Sequence, residues 1–207
     1  MITDADSNKR RLFYAVQLDA AAREYATQAQ RALRESPGLS RARHFRWVNP
    51  VDMHLTLFFL GEQSADDIPA FMAAGNAAAA QGRPFTLNLR GLGQFPSDGA
   101  ARVVWLGAHE AASQQANGLA SRLRTNLKSF GADRVAFNPH ITLGYVRPSA
   151  DQKELSRTMK HSLVDPRVTE QHDLLVSQFV LMESLRSVDL RDTGKSRYTV
   201  VHSFLLA

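Results

Sequence analysis

A four-residue string, histidine–x–threonine–leucine, occurs twice in this chain, as His54-Leu55-Thr56-Leu57 and as His140-Ile141-Thr142-Leu143, with 86 positions from the first histidine to the second. Imidazole titrates at about pH 6.5, so near neutrality one ring can be neutral while its partner is charged. The neutral ring removes a proton from water and the charged ring delivers one to a departing oxygen. Each such transfer is worth roughly 10²–10⁴-fold in rate. Threonine hydroxyls beside the rings can donate to non-bridging phosphate oxygens, where charge must be held in the transition state. Two imidazoles and two hydroxyls are therefore a set suited to phosphodiester cleavage without a metal. A lone histidine in an apolar strand is more often structural. On ordinary residue frequencies, however, x-Thr-Leu follows a given histidine about once in 200 cases, and here it follows two of seven. A duplicated structural strand explains the repeated apolar residues but not the repeated polar ones.

Each string reads as a strand, in which side chains alternate faces with period two. His54 and Thr56 then share one face, His140 and Thr142 another, while Leu55, Leu57, Ile141 and Leu143 point into a core. The surrounding pattern alternates strands and helices. Strands are predicted at 11–18, 54–60 (stopped at Gly61), 85–92, 102–106, 140–146, 174–183 and 198–206. Helices are predicted at 20–35, capped by Asp19 and ended by Pro37-Gly38, at 65–80 after Ser64, and at 110–130, closed by Gly131. A shorter helix runs to about His161 from a Ser149/Gln152 capping box. The glycines of Gly91-Leu92-Gly93 read as a turn, and 187–197 as a hairpin loop. An Asn-Pro pair lies upstream of each string, at Asn49-Pro50 and Asn138-Pro139. The echo suits an ancient duplication giving two similar lobes within one compact unit.

Composition narrows the chemistry. The chain has 207 residues and no cysteine, which excludes disulfides, thiolate metal sites and cysteine nucleophiles. Its formal charge of +5 favours anionic partners, and arginine, which suits bidentate phosphate contact, carries most of it. No apolar run approaches the ~20 residues that span a bilayer, and the polar start does not read as a signal peptide; a cytoplasmic protein is expected. No H-E-x-x-H spacing, G-x-S-x-G elbow or Walker A loop is present. His44, His109, His161, His172 and His202 have no repeated context.

The paired strings resemble those of the two-histidine (2H) phosphoesterase superfamily, and within it the RNA 2′,3′-cyclic phosphodiesterase (2′-5′ RNA ligase) family. The similarity runs from RLFYAVQL through HLTLFFLGE, FTLNLRGLGQFP, RVVWLG and FNPHITLGYVR to SRYTV. It implies an α+β fold of two pseudo-symmetric lobes, each an antiparallel sheet with helices outside and a cleft between them. It implies one bilobal domain over 1–207, with 1–10 as a flexible tail. It also implies hydrolysis of RNA 2′,3′-cyclic phosphate ends to 2′-phosphomonoesters, with reversible 2′-5′ RNA ligation as a further reaction. By resemblance His54 is the proton donor, His140 the proton acceptor, and Thr56 and Thr142 bind phosphate. No cofactor and no metal are expected. The expected partner is RNA with a cyclic phosphate end, tRNA fragments included, and the expected state is a monomer away from membranes.

Many relatives carry an arginine two residues after the second string, where this chain has Tyr145; Arg147 is the next arginine. Phe58, on the face of His54 and Thr56 by strict alternation, is a candidate for stacking on a base. Arg46, Arg102 and Arg197 are candidate phosphate contacts. Two other readings keep the same residues: a phosphodiesterase for another small cyclic or 2′-5′-linked nucleotide, and a non-catalytic module that binds RNA ends.

Overall fold

A computed structural model describes residues 8–36, 44–108, 110–130, 137–148, 150–162, 165–185 and 196–207. Strand β1 spans Lys9–Gln17, so the last two residues of the expected tail belong to the sheet; residues 1–7 lie outside the described residues. Helix α1 follows over Ala20–Glu35, with the Asp19 side chain accepting from the Ala22 N–H as its N-cap. Short strand β2 is Phe45–Trp47. Strand β3 runs over His54–Ser64. It does not stop at Gly61: that glycine has φ of 77° and sits at an irregularity where β1 and β3 shift register, a conformation glycine adopts without steric cost. Ser64 caps a 3₁₀ turn, Ala65–Asp67, before helix α2 at Ile68–Ala80.

Strand β4 covers Phe85–Phe95 and β5 Val103–Ala108. Gly91 lies inside β4, with φ of 77°, at a bulge rather than in a turn. Helix α3 is Glu110–Asn126, followed by a 3₁₀ turn at Lys128–Phe130; the predicted closing Gly131 lies outside the described residues. So do Pro37-Gly38 and the capping-box Ser149. Strand β6 is His140–Val146, and helices α4 and α5 are Gln152–Ser162 and Pro166–Thr169.

The single strand expected at 174–183 is two. Strand β7, His172–Val176, pairs with β4, whereas β8, Gln178–Ser184, pairs with β1. Only Ser177 separates them. A run of apolar residues does not record that its backbone changes partners. Strand β9, Tyr198–Leu205, pairs antiparallel with β8; most of the hairpin loop between them, 186–195, lies outside the described residues.

Among the described residues the strands form one antiparallel sheet in the order β7-β4-β5-β6-β3-β1-β8-β9, with β2 on β6. Because β7 and β8 are joined through one residue yet stand far apart in that order, the sheet must curl. Its halves, β7-β4-β5-β6 and β3-β1-β8-β9, meet where β3 pairs with β6 through Leu55 and Ile141. The main core lies between the sheet and its helices and includes Leu12, Tyr14, Leu33, Leu55, Phe71, Leu119 and Ile141. Strand β1 is buried on both faces, with Phe13 and Ala15 joining Val180 and Met182 in a smaller cluster on the other side. No helix among the described residues is long and apolar enough to cross a membrane.

Candidate active site

The pairing of Leu55 with Ile141 sets the geometry of the two strings. Both side chains are fully buried on the core face. Directly opposed residues of an antiparallel pair share a face, and neighbours along each strand point the other way. Extending this register by one residue each way brings His54 opposite Thr142, and Thr56 opposite His140, on the face away from the core. The two histidine–threonine pairs are thus interleaved.

The rings are held alike. His54 Nδ1 donates to the Asp52 carbonyl at 2.7 Å, and His140 Nδ1 to the Asn138 carbonyl at 2.7 Å. With Nδ1 committed, proton exchange falls to Nε2 on each ring. The Asn-Pro pairs are not equivalent. Asn138 supplies the carbonyl two residues before His140, whereas Asn49 caps a 3₁₀ turn at Pro50–Asp52 and leaves that task to Asp52.

The aromatic surroundings differ between the halves. The His54 ring lies 5.0 Å from Phe13 and 5.0 Å from Tyr198, centroid to centroid. The His140 ring lies 4.8 Å from Phe95 and 6.0 Å from Trp105. Burial lowers the pKa of both histidines below the ordinary value. Against this, the Asn138 carbonyl bond raises His140. At His54 the Asp52 carbonyl bond and the Asp52 charge both raise it, while the nearby His140 lowers it.

A cavity of about 570 Å³ opens over this face, lined by Arg11, Phe13, Arg46, His54, Thr56, Phe59, Thr142, Tyr145, Arg197 and Tyr198 among others. His140 sits beside it against Phe95 and Trp105. Arg46 stacks its guanidinium 4.7 Å from the Tyr145 ring centroid, directly across the β2–β6 pair. Arg197 reaches Asp52, with Nε 3.9 Å from Oδ2. Arg102 is exposed and does not line the cavity. Nor does Arg147, whose Nε donates to the Phe45 carbonyl at 3.4 Å.

Phe58 is not on the site face: it is 5% exposed and packs in the main core. The cause is a bulge. Tyr14 pairs with Phe58 and Ala15 with Thr56, so Leu57 is an extra residue that resets the alternation. Phe59 takes the cavity position instead, with Arg11 5.0 Å over its ring. The second string carries the same irregularity, since Val104 pairs with Gly144 and Trp105 with Thr142, which turns Tyr145 toward the cavity. Phe59 and Tyr145 each lie five residues past their histidine and are counterparts. Sequence reading missed Phe59, Arg11 and Asp52; the aromatic doublet at 58–59 was the one signal that could have raised Phe59. Among the described residues no cluster of three histidine, aspartate or glutamate side chains is placed to hold a metal ion.

A curled antiparallel sheet with helices on its core side and two interleaved histidine–threonine pairs on the other defines a two-histidine phosphoesterase. Residues 18–187 match the 2′-5′ RNA ligase superfamily, and the chain belongs to that superfamily. It is 37% identical over 141 residues to a Thermus thermophilus protein named RNA 2′,3′-cyclic phosphodiesterase, covering 64% of this chain and 67% of that one. It is 36% identical over 144 residues to the Escherichia coli K12 protein of the same name, covering 66% of this chain and 72% of that one. A crystal structure of a Thermus thermophilus protein superposes with a TM-score of 0.71 at 31% identity, covering 95% of this chain and 97% of that one. The E. coli LigT structure complexed with 3′-AMP gives 0.66 at 27% identity, covering 97% and 99%.

Proposed function

We propose that this protein hydrolyses RNA 2′,3′-cyclic phosphate ends to 2′-phosphomonoesters by acid–base catalysis between His54 and His140. The observation that carries this reading is the interleaved set of His54, Thr142, Thr56 and His140 on one face of the sheet, with both Nδ1 atoms committed to backbone carbonyls. The names of the relatives supply the substrate class.

In the reaction the cyclic phosphate lies over Thr56 and Thr142, whose hydroxyls donate to its non-bridging oxygens. His140 takes a proton from water as the water oxygen bonds to phosphorus. The bond from phosphorus to the ribose 3′ oxygen breaks, and His54 gives that oxygen its proton. The products are a 2′-phosphate and a 3′ hydroxyl. When the 5′ hydroxyl of another RNA end replaces water as the nucleophile, the same P–O3′ bond breaks, His54 again protonates the 3′ oxygen, and the product is a 2′-5′ linkage; the reverse of that step cleaves it. The exposed arginines on the cavity wall, Arg46 and Arg197, supply the positive field for the RNA phosphates. A basic cavity contained within one chain supports action by a monomer, and we place the reaction in the cytoplasm with tRNA fragments among its substrates.

The test is an assay of a 2′,3′-cyclic nucleotide end in excess chelator, with the product identified by phosphorus NMR. Turnover to a 2′-phosphate is expected. Loss of turnover on chelation would refute the metal-free route, and a 3′-phosphate product would place the donor against the other ribose oxygen. Salt-dependent RNA binding without turnover would mark a non-catalytic binder instead.

A further inference from the structure

The two halves hold their histidines by the same backbone bond, yet they are not alike in charge. The residue two before His140 is Asn138, neutral and exposed. The residue two before His54 is Asp52, which is 5% exposed. Its Oδ1 accepts from the Ser196 hydroxyl at 2.8 Å and from the Arg197 backbone N–H at 2.8 Å. The next residue, Tyr198, lays its ring edge-on to His54. Asp52 therefore closes a circuit. Its carboxylate fixes the entry to β9, β9 presents Tyr198 to the His54 ring, and the ring returns its Nδ1 proton to the carbonyl of Asp52. The ring contacts of His140, Phe95 and Trp105, are neutral.

We propose that Asp52 is a positioning residue that breaks the symmetry of the pair: it fixes the His54 ring and, by its charge, makes His54 rather than His140 the histidine that carries the proton into the reaction. A negative charge favours the protonated form of a nearby imidazole, and a half-buried setting screens the attraction less than open solvent does. Burial works against protonation of both rings, but the charge opposing it acts at His54. Other groups around His54 are Arg197 and Tyr198 from β9 and its entry, Arg11 from β1, Tyr145 from β6 and His140 across the seam. Arg197 offsets Asp52 only in part, because its side chain is 56% exposed and its charge is spread into solvent. The assignment of donor and acceptor then follows from the chain's own charges. It rests on the acid–base reading of the site.

The experiment is an NMR titration of the two imidazoles in the full chain, which does not depend on turnover. Asp52→Asn keeps the backbone carbonyl and side-chain shape and removes the charge. It should lower the His54 pKa by about one unit and leave His140 in place. Arg197→Ala, at an exposed position, removes the opposing charge and should move His54 the other way. In the cyclic phosphate assay the alkaline limb of the rate profile should follow His54 downward in Asp52→Asn, since the donor must be protonated, while the acidic limb stays. An unmoved His54, or equal shifts of both rings, would overturn the proposal. A uniform loss of rate with unshifted limbs would reduce Asp52 to a structural support. A wild-type protein that turns over no cyclic phosphate would count against the proposed function and leave the titration result standing.

Discussion

Leu55 and Ile141 face one another across the seam between β3 and β6, and this pair joins the two halves of the sheet. Both are fully buried, and each is followed within its strand by a threonine and preceded by a histidine. A shift of one residue in their register would turn the whole polar set to the core face. Truncating either side chain to alanine should cost about 2–5 kcal/mol in stability. Because the seam also sets the distance between the rings, the rate should fall well beyond any change in folded population. Denaturant melts alongside single-turnover rates separate the two effects; a rate that tracks the folded fraction alone would remove the seam from the catalytic geometry.

His54→Ala and His140→Ala should each reduce cyclic phosphate opening by roughly 10²–10⁴-fold, the worth of one positioned proton transfer. If the two act as a unit, as proposed, the double variant should lose little more than either single one. Either variant at wild-type rate would refute the pairing.

Thr56→Val and Thr142→Val preserve shape and remove the hydroxyls that line the cavity. Each should lower kcat by about 10²-fold with a smaller effect on KM, as for loss of one donor to a developing oxyanion. A change confined to KM would show that the hydroxyls bind ground state and transition state equally.

Phe58 and Phe59 should give opposite phenotypes. Phe58→Ala empties a core site and should cost about 3–5 kcal/mol. Phe59→Ala, at a side chain 39% exposed, should leave the melt nearly unchanged and raise KM for RNA ends. Equal stability losses would contradict the bulge at Leu57. In the same assay Arg46→Ala should weaken RNA binding and reduce the log–log salt slope by about 0.7, the loss of one phosphate contact to a single strand.

Burial holds both His54 and His140 below the ordinary value of 6.5. The folded chain therefore binds fewer protons than the unfolded chain as the pH drops past that point. Their contribution to stability is complete above about 6.5 and is lost as pH falls through the folded values. The melting temperature should decline on acidification, and His54→Gln with His140→Gln should flatten that decline. An unchanged slope in the double variant would assign the acid sensitivity to other groups.

The local chemistry was legible in the sequence. Asp19 caps α1 as its side chain dictates, Ser64 caps the turn before α2, and the alternation inside each H-x-T-L string puts apolar residues in the core and polar ones opposite. These are short-range effects: one side chain against the nearest backbone N–H, or adjacent residues on opposite faces. Tertiary structure decided what depends on pairing partners. The bulges at Leu57 and Leu143 exchange Phe58 for Phe59 and turn Tyr145 to the cavity, because the extra residue is defined only relative to the neighbouring strand. Ser177 divides one apolar run between distant parts of a curled sheet. The Leu55–Ile141 seam places each histidine beside the other strand's threonine, and the contact of Asp52 with Ser196 spans 144 positions. The sequence by itself determined which groups could do the chemistry. Only the folded sheet determined which of them meet, because register and long-range closure are properties of two segments at once and are written in neither.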